Sequence, residues 1–201
     1  MPFLDCTGVL LAGGRSRRFG ANKALADLHG CRLIEHPARV LERLFPHRLL
    51  VTNTPELYQF LGWTMLPDLH PGAGPLAGIE AALTRAATPA IFVAACDMPH
   101  LAPALIGHLC SLAGDYDAVI PVTGKGREPL HGVYARSALA TISAALAGGN
   151  HKILDVLDKL RIREVDEAEM LAVSATALAS FRNVNTVDDL SDAMGTDGAG
   201  P

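Results

Sequence analysis

The sequence predicts an α/β protein, a three-layer fold in which a mostly parallel sheet carries helices on both faces. Three observations predict it. Short apolar runs alternate with helix-spaced segments along most of the 201 residues. The clearest run, Ala90-Ile91-Phe92-Val93-Ala94-Ala95, has no polar residue, as a strand buried on both sides requires. A loop rich in glycine and arginine follows the first such run, Thr7-Gly8-Val9-Leu10-Leu11.

The elements follow in order. After the glycine loop, 33–44 has helical spacing, with Pro37 tolerable only in or near the first turn. Residues 48–52 read as a strand, 55–60 as a short helix and 64–66 as a further short strand. A loop at 67–74 precedes a helix at 75–87, whose Pro75 suits a first-turn position. Strand 90–95 and helix 103–113 come next. Residues 117–122 and 130–135 read as strands flanking a glycine- and charge-rich loop at 123–128. Helices at about 137–147 and 152–160 lead to a strand at 161–165. A last helix starts near Thr186, an N-cap followed by Asp188 and Asp189. The chain reads as one domain over 1–194 and a disordered tail at 195–201, Gly-Thr-Asp-Gly-Ala-Gly-Pro.

Composition narrows the class. Hydrophobic residues make up 49% of the chain and charged residues 19%, the balance of a globular enzyme with a sizeable core. The apolar runs are too short to span a bilayer, and Met1-Pro2-Phe3-Leu4-Asp5 lacks the character of a signal peptide. Four cysteines, Cys6, Cys31, Cys96 and Cys110, form no C-x-x-C pair and read as free thiols in a reducing cytoplasm. A net charge of −4 without basic blocks gives no footprint for nucleic acid.

The loop after the first strand reads as a phosphate site. Gly13, Gly14 and Gly20 permit backbone N–H groups to converge on an anion. Arg15, Arg17, Arg18 and Lys23 supply positive charge, and no Asp or Glu occurs between Asp5 and Asp27. The P-loop is excluded because Gly20 is followed by Ala-Asn-Lys-Ala, not by Lys and then Ser or Thr. The dinucleotide pattern fails because Gly13 and Gly14 are adjacent, and Val51-Thr52-Asn53 stands where a ribose-binding acid is required.

In a sheet of this kind ligands bind at the carboxyl ends of the strands, so the loops at 12–23, 52–54, 67–74 and 96–101 share one edge. Asp97, at the end of strand 90–95, has two readings: a ligand of Mg²⁺, which takes only one or two protein carboxylates, or a cap for the following helix. Asp68 either contacts a base or ribose or closes an Asx-type turn; Asn183 and Asn185 either bind ligand or bond locally. His70, His100, His131 and His151 lack ligand spacing and read as surface or loop histidines, and Cys96 reads as core.

Taken together these motifs resemble the molybdenum cofactor guanylyltransferases. The residues that carry the resemblance are Leu11-Ala12-Gly13-Gly14-Arg15-Ser16-Arg17-Arg18-Phe19-Gly20-Ala21-Asn22-Lys23, Gly74-Pro75-Leu76-Ala77-Gly78, Cys96-Asp97-Met98-Pro99 and Asn183-Val184-Asn185-Thr186-Val187-Asp188-Asp189-Leu190. They run in order over about 7–192. Phe19 replaces a usual Met, and Glu128-Pro129-Leu130 stands where relatives often have Gln-Pro-Leu. The resemblance implies a Rossmann-like sheet of the nucleotide-diphospho-sugar transferase type. It also implies transfer of GMP from GTP to the terminal phosphate of molybdopterin, with Mg²⁺ as cofactor and release of pyrophosphate.

On the resemblance, Leu11, Ala12, Gly13, Gly14, Lys23, Asn53, Asp68, Gly78 and Asp97 contact the nucleotide, with Thr52 the rival of Asn53. Arg18, Lys23 and Asp97 carry catalysis, Asp97 holds the metal, and Asn183 and Asn185 face the pterin. The 74–78 loop forms part of the base pocket, and Gly13, where cytidylyl-transferring relatives more often have Ala, leans towards GTP. The implied partners are GTP and molybdopterin, with transient contacts to proteins that deliver the cofactor and to apo-molybdoenzymes that receive it. Cytidylyl transfer, transfer to another phosphorylated acceptor, and a non-enzymatic GTP-binding regulatory module are the competing readings.

Overall fold

In the computed structural model, the described residues are 5–13, 22–70, 72–184, 186, 189 and 190. The strands are β1 (Thr7–Leu11), β2 (Asp27–Leu28), β3 (Cys31–Arg32), β4 (His47–Val51), β5 (Thr64–Leu66), β6 (Ala90–Ala95), β7 (Ala118–Thr123), β8 (Gly126–Arg127), β9 (His131–Ala135) and β10 (Ile162–Val165). The α-helices are α1 (Glu35–Leu44), α2 (Pro75–Arg85), α3 (Pro103–Ser111), α4 (Leu139–Ala147), α5 (Ile153–Leu157) and α6 (Glu167–Val173).

One sheet has the order β10-β7-β9-β6-β1-β4-β5, with β8 paired to β7, and β2 and β3 form a separate hairpin. It is mostly parallel, as expected, but mixed: β9 runs antiparallel to both β6 and β7. The short 123–130 connection explains this, because it is too brief to contain the crossover that a parallel strand needs.

Period-two alternation sorts the central strands onto two cores. Leu10, Leu50, Phe92 and Ala94 join one cluster with residues of α1, α3 and α6. Val9, Leu11, Val51, Ile91 and Val93 join the other with residues of α2, α4 and α5. All residues of β1 and β6 are buried, which is why both read as continuous apolar runs. Pro37 is the third residue of α1 and Pro75 the first of α2, so neither ring interrupts a hydrogen-bond ladder.

Several elements depart from the sequence expectation. The helix expected at 55–60 is two 3₁₀ turns, Pro55–Leu57 and Gln59–Leu61, and the one expected at 152–160 is confined to α5. The hairpin β2–β3 and helix α6 are additional. The start of the last helix holds: Thr186 Oγ1 accepts from the Asp189 N–H at 3.0 Å, and Asp189 Oδ2 accepts from the Thr186 N–H at 2.8 Å. The tail at 195–201 lies outside the described residues.

Candidate active site

Sheet register puts four strand ends at one level. Leu11 is opposite both Val51 and Ala95, and Val51 is opposite Leu66. The chain leaving β1 is held by Ala12 N–H to Val51 O at 2.9 Å, and that leaving β6 by Cys96 N–H to Leu11 O at 3.2 Å. Residues 12–13, 52–53, 67–68 and 96–97 therefore form a row along one edge. Three interstrand spacings separate β6 from β5, roughly 14 Å, a span suited to a nucleoside triphosphate lying across the strand ends.

At one end of the row Lys23 Nζ donates to Asp97 Oδ2 at 2.6 Å. The side chains are only 13% and 17% exposed, so this ion pair is largely withdrawn from water. The second carboxylate oxygen, Asp97 Oδ1, is buried and has no hydrogen-bond partner among the described residues. An acceptor left bare beside a lysine is where a further cation or donor fits, because desolvating it without compensation is costly. No group of three or more His, Cys, Asp or Glu gathers among the described residues. The capping reading of Asp97 is excluded for α3, whose N-cap is Ala102 with no side-chain hydrogen bond.

Lys23 is placed from behind. Asn22 caps the 3₁₀ turn Lys23–Leu25 by accepting the Ala24 N–H at 3.2 Å. Its amide Nδ2 donates to the hydroxyl of buried Tyr58 at 2.9 Å. The sequence reading singles out neither Asn22 nor Tyr58 as functional. The only signal was Asn22 standing directly before the lysine of the loop.

The other end of the row is built from β4 and β5. Asn53 Oδ1 accepts the Asp68 N–H at 2.9 Å, and Asp68 Oδ1 accepts the His70 N–H at 2.9 Å. The Asx-type turn is thus present at Asp68, alongside a link to the other candidate residue. Asn53 is exposed, whereas Thr52 is buried and its hydroxyl accepts the Thr54 N–H at 3.2 Å. Of the two, Asn53 is therefore the side chain a ligand can reach. His70 Nε2 lies 3.1 Å from Glu80 Oε2, a carboxylate buried in α2, so the 67–74 loop comes close against that helix, although no hydrogen bond joins the two side chains.

Gly13 is exposed, and a Cβ there would meet no described atom within 4 Å. Gly78 lies buried within α2, as the helix expected at 75–87 has it and not in the 74–78 loop that the resemblance implies, and a Cβ would approach Leu11 Cδ2 at 3.1 Å and Val51 Cγ1 at 3.5 Å. It brings α2 close against the strands whose ends form the row. Gly74, at φ +74, ends the loop just before Pro75 opens α2.

Asn183 is exposed, and its neighbour Val184 donates its N–H to Asp97 O at 3.0 Å, which brings the late motif beside the Asp97 turn. Gly14, Arg15, Ser16, Arg17, Arg18, Gly20 and Asn185 lie outside the described residues.

Two neighbouring groups are set by burial. Cys96 packs against the core as expected, and its thiol is pushed up to about 12, first by burial and then by the Asp97 carboxylate. It is therefore a neutral packing group, not a nucleophile. His131 corrects the sequence reading. It is fully buried in β9, edge-on to Phe92 and Phe181 at 5.2 and 5.0 Å between ring centroids. Neither ring nitrogen has a hydrogen-bond partner among the described residues, and burial lowers its pKa to about 3.

Residues 8–165 match the family model of the MobA-like NTP transferase domain. The chain is 37% identical over 187 residues to a probable molybdenum cofactor guanylyltransferase of Pelotomaculum thermopropionicum, covering 93% of this chain and 91% of that one. It is 38% identical over 191 residues to the molybdenum cofactor guanylyltransferase of Desulfosudis oleivorans, covering 93% of each. Its fold is similar to the crystal structure of molybdopterin-guanine dinucleotide biosynthesis protein A from Archaeoglobus fulgidus. That likeness has a TM-score of 0.82 at 31% identity, over 95% of this chain and 98% of the other.

Proposed function

We propose that this chain, which belongs to the family of MobA-like NTP transferases, transfers GMP from GTP to the terminal phosphate of molybdopterin. A phosphate oxygen of molybdopterin attacks the α-phosphorus of GTP; the new P–O bond forms as the bond to the β-phosphate oxygen breaks, and pyrophosphate leaves. An anion attacks an anion, so the enzyme's task is charge neutralisation and alignment more than proton transfer.

The observation that carries this reading is the Lys23–Asp97 pair with its bare carboxylate oxygen, at one end of a row of strand ends. Lys23 contacts the triphosphate and the departing pyrophosphate, together with Arg18 and the backbone of 12–16. Asp97 holds Mg²⁺ through Oδ1. When bound, that cation supplies positive charge to the phosphate oxygens of the nucleotide. Leu11, Ala12 and Gly13 meet the nucleotide at the end of β1, and Asn53 and Asp68 meet its base and ribose. Gly78 shapes the base side by letting α2 close on β1 and β4. Asn183 and Asn185 face the pterin. No helix among the described residues is long and apolar enough to cross a membrane. The four free cysteines suit work in the cytoplasm, where proteins delivering the cofactor and apo-molybdoenzymes are the transient partners.

The test is pyrophosphate release with molybdopterin and Mg²⁺, run with GTP, CTP and ATP in competition. GTP is expected to be preferred by more than about tenfold, because the wrong base leaves buried polar groups unpaired at about 1–3 kcal/mol each. Equal or better use of CTP would overturn guanylyl transfer and leave nucleotidyl transfer standing. GTP binding with no pyrophosphate released would support a regulatory module instead.

A further inference from the structure

Lys23 belongs to a turn of only three residues, Lys23–Leu25, and so short a turn does not hold its own orientation. What fixes it comes from elsewhere in the chain. Asn22, its cap, is bound to Tyr58, 36 residues away between the two 3₁₀ turns that join β4 to β5. The two side chains are complementary: Asn22 Nδ2 donates to the Tyr58 oxygen at 2.9 Å, and Asn22 Oδ1 lies 3.3 Å from the same hydroxyl. Asn22 Oδ1 also accepts the Ala24 N–H, so one amide joins the tyrosine to the backbone on both sides of Lys23. Tyr58 is 2% exposed and packed in the same core cluster as Ala24, which leaves its hydroxyl in one place. Burial raises the phenol's pKa, so the hydroxyl stays protonated.

We infer that Tyr58 and Asn22 are positioning residues for Lys23. Together they hold the ammonium group on Asp97 and in line with the phosphates of the nucleotide. The inference rests on the reading of Lys23 as a phosphate ligand. It adds that the connection carrying Asn53 also governs the phosphate end of the site. Both nucleotide ends then answer to one short segment, residues 52–61.

Turnover of GTP with molybdopterin in five variants tests this, with thermal melting as a check on folding. Tyr58→Phe removes one hydroxyl and leaves the ring's packing; turnover is expected to fall between about three- and thirtyfold, as for a misplaced catalytic group. In a Lys23→Ala background the same substitution is expected to add nothing, because its effect passes through the lysine. Asn22→Ala is expected to behave like Tyr58→Phe. Asn22→Asp, which keeps an acceptor for both the Ala24 N–H and the tyrosine hydroxyl, is expected to recover most of the activity. Undiminished turnover in Tyr58→Phe beside a crippled Lys23→Ala overturns the inference alone, as does an undiminished effect of Tyr58→Phe in the Lys23→Ala background. Normal turnover in Lys23→Ala overturns the reading of Lys23 itself.

Discussion

The two ends of the strand-end row are built from similar parts and do different work. At each end a carboxylate residue is joined to another segment by a hydrogen bond that uses a side chain: Asp97 to Lys23 at 2.6 Å, and Asp68 to Asn53 at 2.9 Å. At the β6 end the carboxylate itself is the bonded group, its partner is a cation, and its other oxygen is buried with no hydrogen-bond partner among the described residues. At the β5 end the carboxylate turns back onto the His70 N–H of its own loop, while the backbone of Asp68 meets the Asn53 amide. The first arrangement concentrates charge in a site shielded from water, and on the proposed reading it acts on charge developing in a transition state. The second fixes the shape of a half-exposed loop, which serves binding. The comparison therefore predicts a division between turnover at one end and affinity at the other.

The largest effect belongs to Asp97. Asp97→Asn keeps the size of the side chain and removes its charge, so the protein is expected to stay folded by far-UV circular dichroism. Turnover is expected to fall by about a hundredfold or more, at least roughly 2.7 kcal/mol in the barrier, with a raised Mg²⁺ requirement. Full activity at unchanged Mg²⁺ dependence would erase the distinction between the two ends.

Asp68→Ala sharpens it from the other side. Loss of the loop's internal bond and of a nucleotide contact is expected to raise the KM for GTP about tenfold, with kcat within about threefold. A fall in kcat with unchanged KM would mean that Asp68 acts on the transition state and that the two carboxylates share one role. A smaller effect is expected at His70, which touches the site only through its loop. His70→Ala removes the close approach to Glu80, and KM for GTP is expected to rise about two- to threefold, the scale of a partly exposed polar contact. An unchanged KM would show that the loop holds its position without α2.

What was legible in the sequence follows the range of the interactions concerned. β6 and the position of Asp97 at its end are written in consecutive residues, as are the glycines and cations after β1. Helix α6 was also written locally: Asp166 accepts the Glu169 N–H at 2.8 Å, a cap and its third residue that the sequence displays openly. The hairpin β2–β3 turns on His29 and Gly30, both at positive φ, a weaker signal than the usual Asn-Gly pair. The direction of β9 has no counterpart in hydrophobic pattern and rests only on the length of the preceding connection. The Asn22–Tyr58 and His70–Glu80 contacts are illegible in principle from one chain, since each joins side chains brought together by the sheet. Gly78 shows a different limit. Its place in the motif was visible, but whether the glycine served a loop or the close approach of a helix depended on the atoms opposite it.

The burial of His131 belongs to that last group and leads to the smallest predicted effect on turnover. Its partners Phe92 and Phe181 are remote in sequence and both apolar, so the ring is held neutral by the absence of water. The imidazole takes up a proton near pH 6.5 in the unfolded chain and only near about 3 in the folded one. Between these values the unfolded state binds more protons, so the contribution of His131 to stability is complete above about pH 6.5. It is lost as the pH falls, by roughly 1.4 kcal/mol per unit. His131→Leu replaces the ring with a side chain of similar volume that does not titrate. Turnover at pH 7.5 is expected to be unchanged, since the ring packs on Phe92 and Phe181 and its nitrogens bond to no described residue of the strand-end row. Chemical denaturation at a series of pH values is expected to show the variant gaining on the wild type below pH 6.5, by roughly 2 kcal/mol at pH 5. Parallel stability curves across that range would mean that the imidazole finds a proton partner in the folded state, and a fall in turnover would place it in the chemistry of the Asp97 end.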